Sequence, residues 1–270
     1  MRREVLLALL AASLATAGCS KMERLTFVRP TADRGEYVQI APTYDVSGRK
    51  GSAGAGNAVA LVAAASDRLR RGELDEAERL SRQALKADPR STDALTLLGS
   101  IAESRGRAAE AGRHYKAAVA LAPGTGIPAN NYGAWLCANG QAAQSLAFFD
   151  QALADPAYPT PLAALSNAGS CARKAGMAPR AEASWRQVLA AQPEHVGALA
   201  GMAQLQYDLG HTLEARAFAQ RWLAVAPDDP DGLRLAIAIE RKHGDNAAAS
   251  RYLSRLQGIS SGSTTSPPAR

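Results

Sequence analysis

The chain has 270 residues, 47% of them hydrophobic and 21% charged, a composition that excludes a disordered protein. Aromatic residues reach only 5%, so core volume must come from Ala, Leu and Val, which suits closely packed helices better than a β-sandwich. The formal net charge of +6 is spread without a basic run, and three cysteines are too few for a disulfide-dense mini-protein or a four-thiolate zinc site.

The first segment reads as an address. Arg2 and Arg3 precede an apolar run from Val5 to Ala15, which is too short to span a bilayer and has the length of a signal-peptide core. It ends in Leu14-Ala15-Thr16-Ala17-Gly18-Cys19, which resembles a bacterial lipobox with Thr16 where Leu is usual. An ordinary secretory signal with a nearby cysteine is the alternative. The paired arginines lack the rest of a twin-arginine motif. By the lipobox resemblance, residues 1–18 are removed and Cys19 is acylated, which attaches the protein to the membrane by several acyl chains. Ser20 stands where Asp typically retains such proteins at the inner membrane, so the expected location is the outer membrane, facing the periplasm. Residues 19–57 lack sustained periodicity and include the Gly-rich stretch Ser47–Gly56, which reads as a flexible linker. No Gly-Lys-Ser/Thr follows that stretch, so a phosphate loop is disfavoured.

The rest is one repeated unit. In rows of 34 residues starting at Ala58, Thr92, Gly126, Leu162, Val196 and Pro230, with the third row slightly longer, position 15 is always glycine: Gly72, Gly106, Gly140, Gly176, Gly210 and Gly244. Position 20 is always small (Ala77, Ala111, Ser145, Ala181, Ala215 and Ala249), and the rows close on prolines such as Pro89, Pro123 and Pro193. A glycine there ends a first helix, the small residue lets a second helix approach it, and proline stops the second helix. Over residues 58–257 this resembles the tetratricopeptide repeat, which implies an all-α, right-handed superhelical solenoid of six helical pairs. Residues 258–270, rich in Ser, Thr, Gly and Pro, read as a disordered tail.

Chemistry is nearly absent. His114, His195, His211 and His243 occupy different repeat positions, and no pair has metal-ligand spacing. There is no nucleophile elbow or zinc-protease motif. Glu73, Asp75, Glu76 and Glu78 sit where a second helix begins, which the helix dipole favours. No catalytic or metal residue, cofactor, nucleic acid or small-molecule substrate is therefore expected. Recognition of another protein is the default for such a scaffold. Inner-face positions 2, 5, 9, 12 and 13 lack the Lys and Asn set with which chaperone-binding members clamp a peptide carboxylate; row four reads Ala163, Ser166, Ser170, Arg173 and Lys174.

Rows three and four carry a narrower resemblance. Asn130-Asn131-Tyr132-Gly133-Ala134-Trp135-Leu136-Cys137, then Asp155-Pro156-Ala157-Tyr158-Pro159-Thr160-Pro161, then Asn167-Ala168-Gly169-Ser170-Cys171 are similar to the type IV pilus biogenesis and stability lipoproteins, the PilF/PilW family of secretin pilotins. The Gly-rich linker is longer than is usual for that family, and its terminal Phe-Pro-x-Ser stretch is missing. The resemblance implies an outer-membrane lipoprotein that helps the pilus secretin localise or multimerise, without catalysis. A tight-adherence pilus or general envelope-assembly lipoprotein is the nearest alternative, and an adaptor for a peptidoglycan-active enzyme is a reading of another class.

Two site expectations follow from the rows. Cys137 and Cys171 fall on first helices of successive repeats, which pack side by side at about 8–10 Å, and an oxidising compartment would join them. Two buried thiols are the alternative. In row one, inner-face positions Val59, Val62 and Leu69 form an apolar strip, either a groove for a partner or a face covered by the linker through Tyr44 or Val46.

Mass spectrometry of the native N terminus is expected to show a chain beginning at an acylated Cys19. An unmodified chain starting elsewhere removes the outer-membrane expectation.

Overall fold

The structure, a computed structural model, describes residues 53–262; the expectations placed on the signal segment, on Cys19 and on most of the linker lie outside them. Among the described residues there are twelve α-helices and no strand, and consecutive helices pack as antiparallel pairs. The pairs are α1 (Ala53–Arg70) with α2 (Leu74–Ala87), α3 (Thr92–Ser104) with α4 (Ala108–Leu121), and α5 (Gly126–Ala138) with α6 (Ala142–Ala154). They continue with α7 (Pro161–Lys174) and α8 (Ala178–Ala191), α9 (Val196–Asp208) and α10 (Thr212–Val225), and α11 (Pro230–His243) and α12 (Asn246–Gly262). The six units are repeats one to six. Helical structure begins at Ala53, inside the stretch expected to be linker, and runs to Gly262, past the expected start of the tail. Alanines at one end and Tyr252, Leu256 and Ile259, packed on Leu223, Leu233 and Ala236, at the other account for the extension.

Local chemistry sets the helix boundaries. The six position-15 glycines have φ between 71 and 89°, the left-handed conformation that turns each first helix into its second. Ser91, His195 and Asp229 cap α3, α9 and α11 by accepting bonds from the backbone N–H groups of Ala94, Ala198 and Gly232. Pro161 and Pro230 open α7 and α11, where a missing N–H costs nothing.

Each first helix also brings its backbone close to the first helix of the next repeat, whereas the backbones of successive second helices stay farther apart and α6 and α8 meet through the Asp150 and Arg180 side chains. The stack therefore curves toward the first helices, and these line its inner wall.

Volume matching holds the pairs together. In repeats two, three and four, glycine at position 8 receives an aromatic from position 24. An added β-carbon would lie 2.6 Å from Tyr115 at Gly99, 3.0 Å from Phe149 at Gly133 and 2.5 Å from Trp185 at Gly169. Repeats one and five hold Ala65 with Ser81 and Ala203 with Ala219 at the same two positions, all at most 2% exposed. Trp185 is also clamped from the other side, because a β-carbon at Gly201 of α9 would come within 2.4 Å of its ring. Trp135 lies against Gly112 in the same manner and donates its indole N–H to the Ala108 carbonyl at 3.0 Å.

Gly169→Ala or Gly201→Ala is expected to destabilise the fold by about 1–3 kcal/mol through overpacking against Trp185. Gly56→Ala, where a β-carbon meets nothing, is expected to leave stability unchanged or raise it by up to about 1 kcal/mol. Urea unfolding midpoints of the three variants test the contrast.

Candidate functional site

The inner wall is the candidate site, and its lower course is a ladder of position-12 and position-13 side chains, one pair from each first helix. From repeat one to six it reads Leu69 and Arg70, Glu103 and Ser104, Cys137 and Ala138, Arg173 and Lys174, Tyr207 and Asp208, Arg241 and Lys242. The rungs of repeats four, five and six touch one another, and that of repeat three is tied to position 10 of repeat four. Cys137 and Cys171 are joined by a disulfide with Cα atoms 5.8 Å apart, Arg173 Nη1 lies 2.9 Å from Asp208 Oδ2, and Lys242 Nζ stands 4.9 Å from the Tyr207 ring centroid. Gln204 also donates to Asp208, at 2.7 Å.

The two halves of the wall differ in charge. In repeat two, Glu103 accepts a 2.6 Å bond from the Tyr115 hydroxyl, which is also 3.1 Å from Ser100 Oγ. Burial raises the Glu103 pKa, and the tyrosine bond opposes that rise. In repeats four to six the ladder is predominantly cationic, with partial burial lowering the Lys174 pKa. Among the described residues no group of three or more His, Cys, Asp or Glu is placed to hold a metal ion, and no helix is long and apolar enough to cross a membrane. An open hollow of about 450 Å³ between repeats one and two is lined by Glu73, Asp75, Glu76 and Arg105, and Arg105 is itself bonded to Asp75 and Glu78.

The apolar strip of repeat one is not assembled as a surface. Val62 is 3% exposed and belongs to a core cluster with Leu80, Ala94 and Leu97, and Leu69 is partly buried against the same cluster. Val59, 40% exposed, stands outside it. The reason is the approach of successive first helices, which covers position 5: Thr96, Asn130 and Ser166 are buried there too, while Arg234 of the last repeat, with no described repeat beyond it, is exposed.

The disulfide ties α5 to α7, and both cysteines are buried, at 2% and 1% exposure. The motif residues around it are absorbed into the junction of repeats three and four. Asp155 accepts from the Gly126 N–H at 2.8 Å, and Tyr158 is buried against Gly126. Asn167 donates to Asn130 at 3.3 Å, and Tyr132 packs between Trp135 and Phe148 at centroid distances of 5.8 and 4.8 Å. Sequence reasoning missed the contiguity of the cationic ladder. Its signal was the paired basic residues closing α7 and α11, where α3, α5 and α9 end without any.

A stack of helical pairs with a curved inner wall is the architecture of a protein-interaction scaffold. Residues 62–125 and 172–238 each match the tetratricopeptide repeat, and the chain belongs to that family. It is similar to the crystal structure of PilW, described as a widely conserved type IV pilus biogenesis factor, with 30% identity and a TM-score of 0.71 over 74% of this chain and 92% of that one. Pseudomonas aeruginosa PilF shares the fold at 22% identity and a TM-score of 0.68, covering 76% of this chain and 92% of that chain. YrrB, described as a tetratricopeptide-repeat protein with an unusual peptide-binding site, shares it at 19% identity and a TM-score of 0.55, over 66% of this chain and 90% of that one. No curated protein matches the sequence.

Replacing Cys137 and Cys171 together by serine is expected to cost about 3–4 kcal/mol, because the bridge closes a loop of 34 residues in the unfolded chain. Thermal unfolding with and without reductant reads the loss: the wild-type transition falls on reduction and that of the double variant does not move.

Proposed function

We propose that this chain is a lipid-anchored scaffold of the outer membrane, facing the periplasm, that assists localisation or multimerisation of the secretin through which a type IV pilus emerges. The observation that carries the reading is the likeness to PilW, which extends over nearly the whole of that chain rather than over one repeat. The motif residues that suggested the family, from Asn130 to Cys171, also build one junction in this fold, so they act together as a structural unit. The lipobox-like run ending at Cys19 supports the anchor, since a scaffold tethered at the membrane meets a membrane-bound oligomer at raised effective concentration. Tetratricopeptide proteins generally act by holding other proteins, and the secretin would be held rather than chemically altered.

The test is genetic and biochemical. Deleting the gene is expected to lower the amount of heat- and detergent-resistant secretin multimer in the outer membrane and to remove surface pili. The wild-type gene restores both, and a Cys19→Ala form that no longer fractionates with the outer membrane restores neither. Unchanged secretin multimers in the deletion strain overturn the proposal.

A further inference from the structure

We propose that the inner wall of repeats four to six is a cradle for an extended, carboxylate-rich segment of a protein partner. The inference rests on reading the chain as a partner-binding scaffold, and it does not require that the partner be a secretin.

The six residues at positions 12 and 13 of these repeats are Arg173, Lys174, Tyr207, Asp208, Arg241 and Lys242. They are contiguous, because Arg173 bonds Asp208 across one repeat junction and Lys242 covers the Tyr207 ring across the next. Four are cations and one is an anion, whose two carboxylate oxygens already accept from Arg173 and Gln204. Repeats two and three offer Glu103, Ser104, Cys137 and Ala138 at the same positions, so the cationic character begins abruptly at repeat four.

The helix dipole alone does not account for this arrangement. It favours basic residues in any last turn, yet the first helices α3, α5 and α9 close without one, and Arg68 and Arg70 at the end of α1 are paired with Glu73 and Asp67. The wall above the ladder is low. Ala163, Ser166, Gly197 and Ala200 occupy positions 2 and 5 of repeats four and five, and these small residues leave room for a main chain to pass. With first helices spaced by about 8–10 Å, three rungs span roughly 16–20 Å, the length of about six extended residues.

Shape separates a peptide from the other anionic candidate, a lipid surface. The cations stand on the concave side of the stack, where a bilayer cannot reach several rungs at once but an extended chain can. Arginine prefers carboxylates in paired, planar geometry, and the flat Tyr207 ring beneath Lys242 holds that amine in place over the groove.

The test is fluorescence anisotropy with the full chain and a labelled peptide of about ten residues, alternating Glu or Asp with Gly and Ser, against its Gln and Asn counterpart. The acidic peptide is expected to bind saturably at low salt, about tenfold more tightly than the neutral one, and to weaken as salt is raised. Arg241→Glu combined with Lys242→Glu is expected to weaken binding about tenfold, and Lys174→Glu to weaken it as well. Arg186→Glu, on the outer helix α8, is expected to change it by less than about twofold. Circular dichroism melts confirm that these exposed replacements leave the fold intact. Equal loss in the Arg186 variant, equal binding of the neutral peptide, or capture of phosphatidylglycerol vesicles without capture of the peptide overturns the proposal. The assay contains no secretin, so its failure removes the acidic-segment cradle alone, and failure of the secretin experiment removes the pilus assignment alone.

Discussion

The spacing of the helices in repeats two to four depends on one steric match: a large side chain from the second helix is received by a glycine of the first. In an interior packed at crystal-like density, a missing β-carbon on one helix and an added ring on the other are two halves of one contact. Tyr115, Phe149 and Trp185 make this match with Gly99, Gly133 and Gly169, and the Ala65–Ser81 and Ala203–Ala219 pairs satisfy it at smaller volume. Because either solution brings the backbones close, successive pairs stack in phase, and the first helices pack against one another along the inside of the curve.

Ion pairs at the junctions add direction to this packing. Glu240, 2% exposed, accepts from Arg216 Nε at 2.8 Å, and the same guanidinium lies 3.3 Å from Asp245. Arg105 bonds Glu78 and Asp75 of the preceding repeat, and Arg180 reaches Asp150 at 2.5 Å. The pairs made by buried Glu240 and Glu78 contribute little net stability, but separating them leaves an uncompensated charge in an apolar setting. These two carboxylates therefore penalise sliding of one repeat over the next more than they strengthen the stack.

The repeat was legible because its punctuation is local: a glycine that takes positive φ and a small residue five positions after it, six times in phase. The volume pairing was legible in principle, since a glycine inside a helical pattern is costly and calls for a packing reason, and position 8 carries one in repeats two to four. The fate of Val62 was not legible from the row alone. Position 5 of a first helix is inner-facing by periodicity, but whether it is exposed depends on how closely the next first helix approaches, which is a property of the whole stack. The cationic ladder failed to emerge for a related reason: Arg173 and Asp208, or Tyr207 and Lys242, become neighbours only when repeats are superposed at the correct tilt.

The covalent bridge between α5 and α7 divides the array dynamically. A linear stack with nearest-neighbour coupling opens like a zipper from its two ends, since terminal units have one neighbour instead of two. A cross-link between the third and fourth units acts as a stop in the middle, so fraying from either side ends at the same two repeats. The covalent tie thus fixes the centre of the array, while repeats one and two on one side and repeats five and six on the other are held to it by packing and ion pairs. Opening at one end of the array therefore need not be passed through the cross-linked pair to the other end.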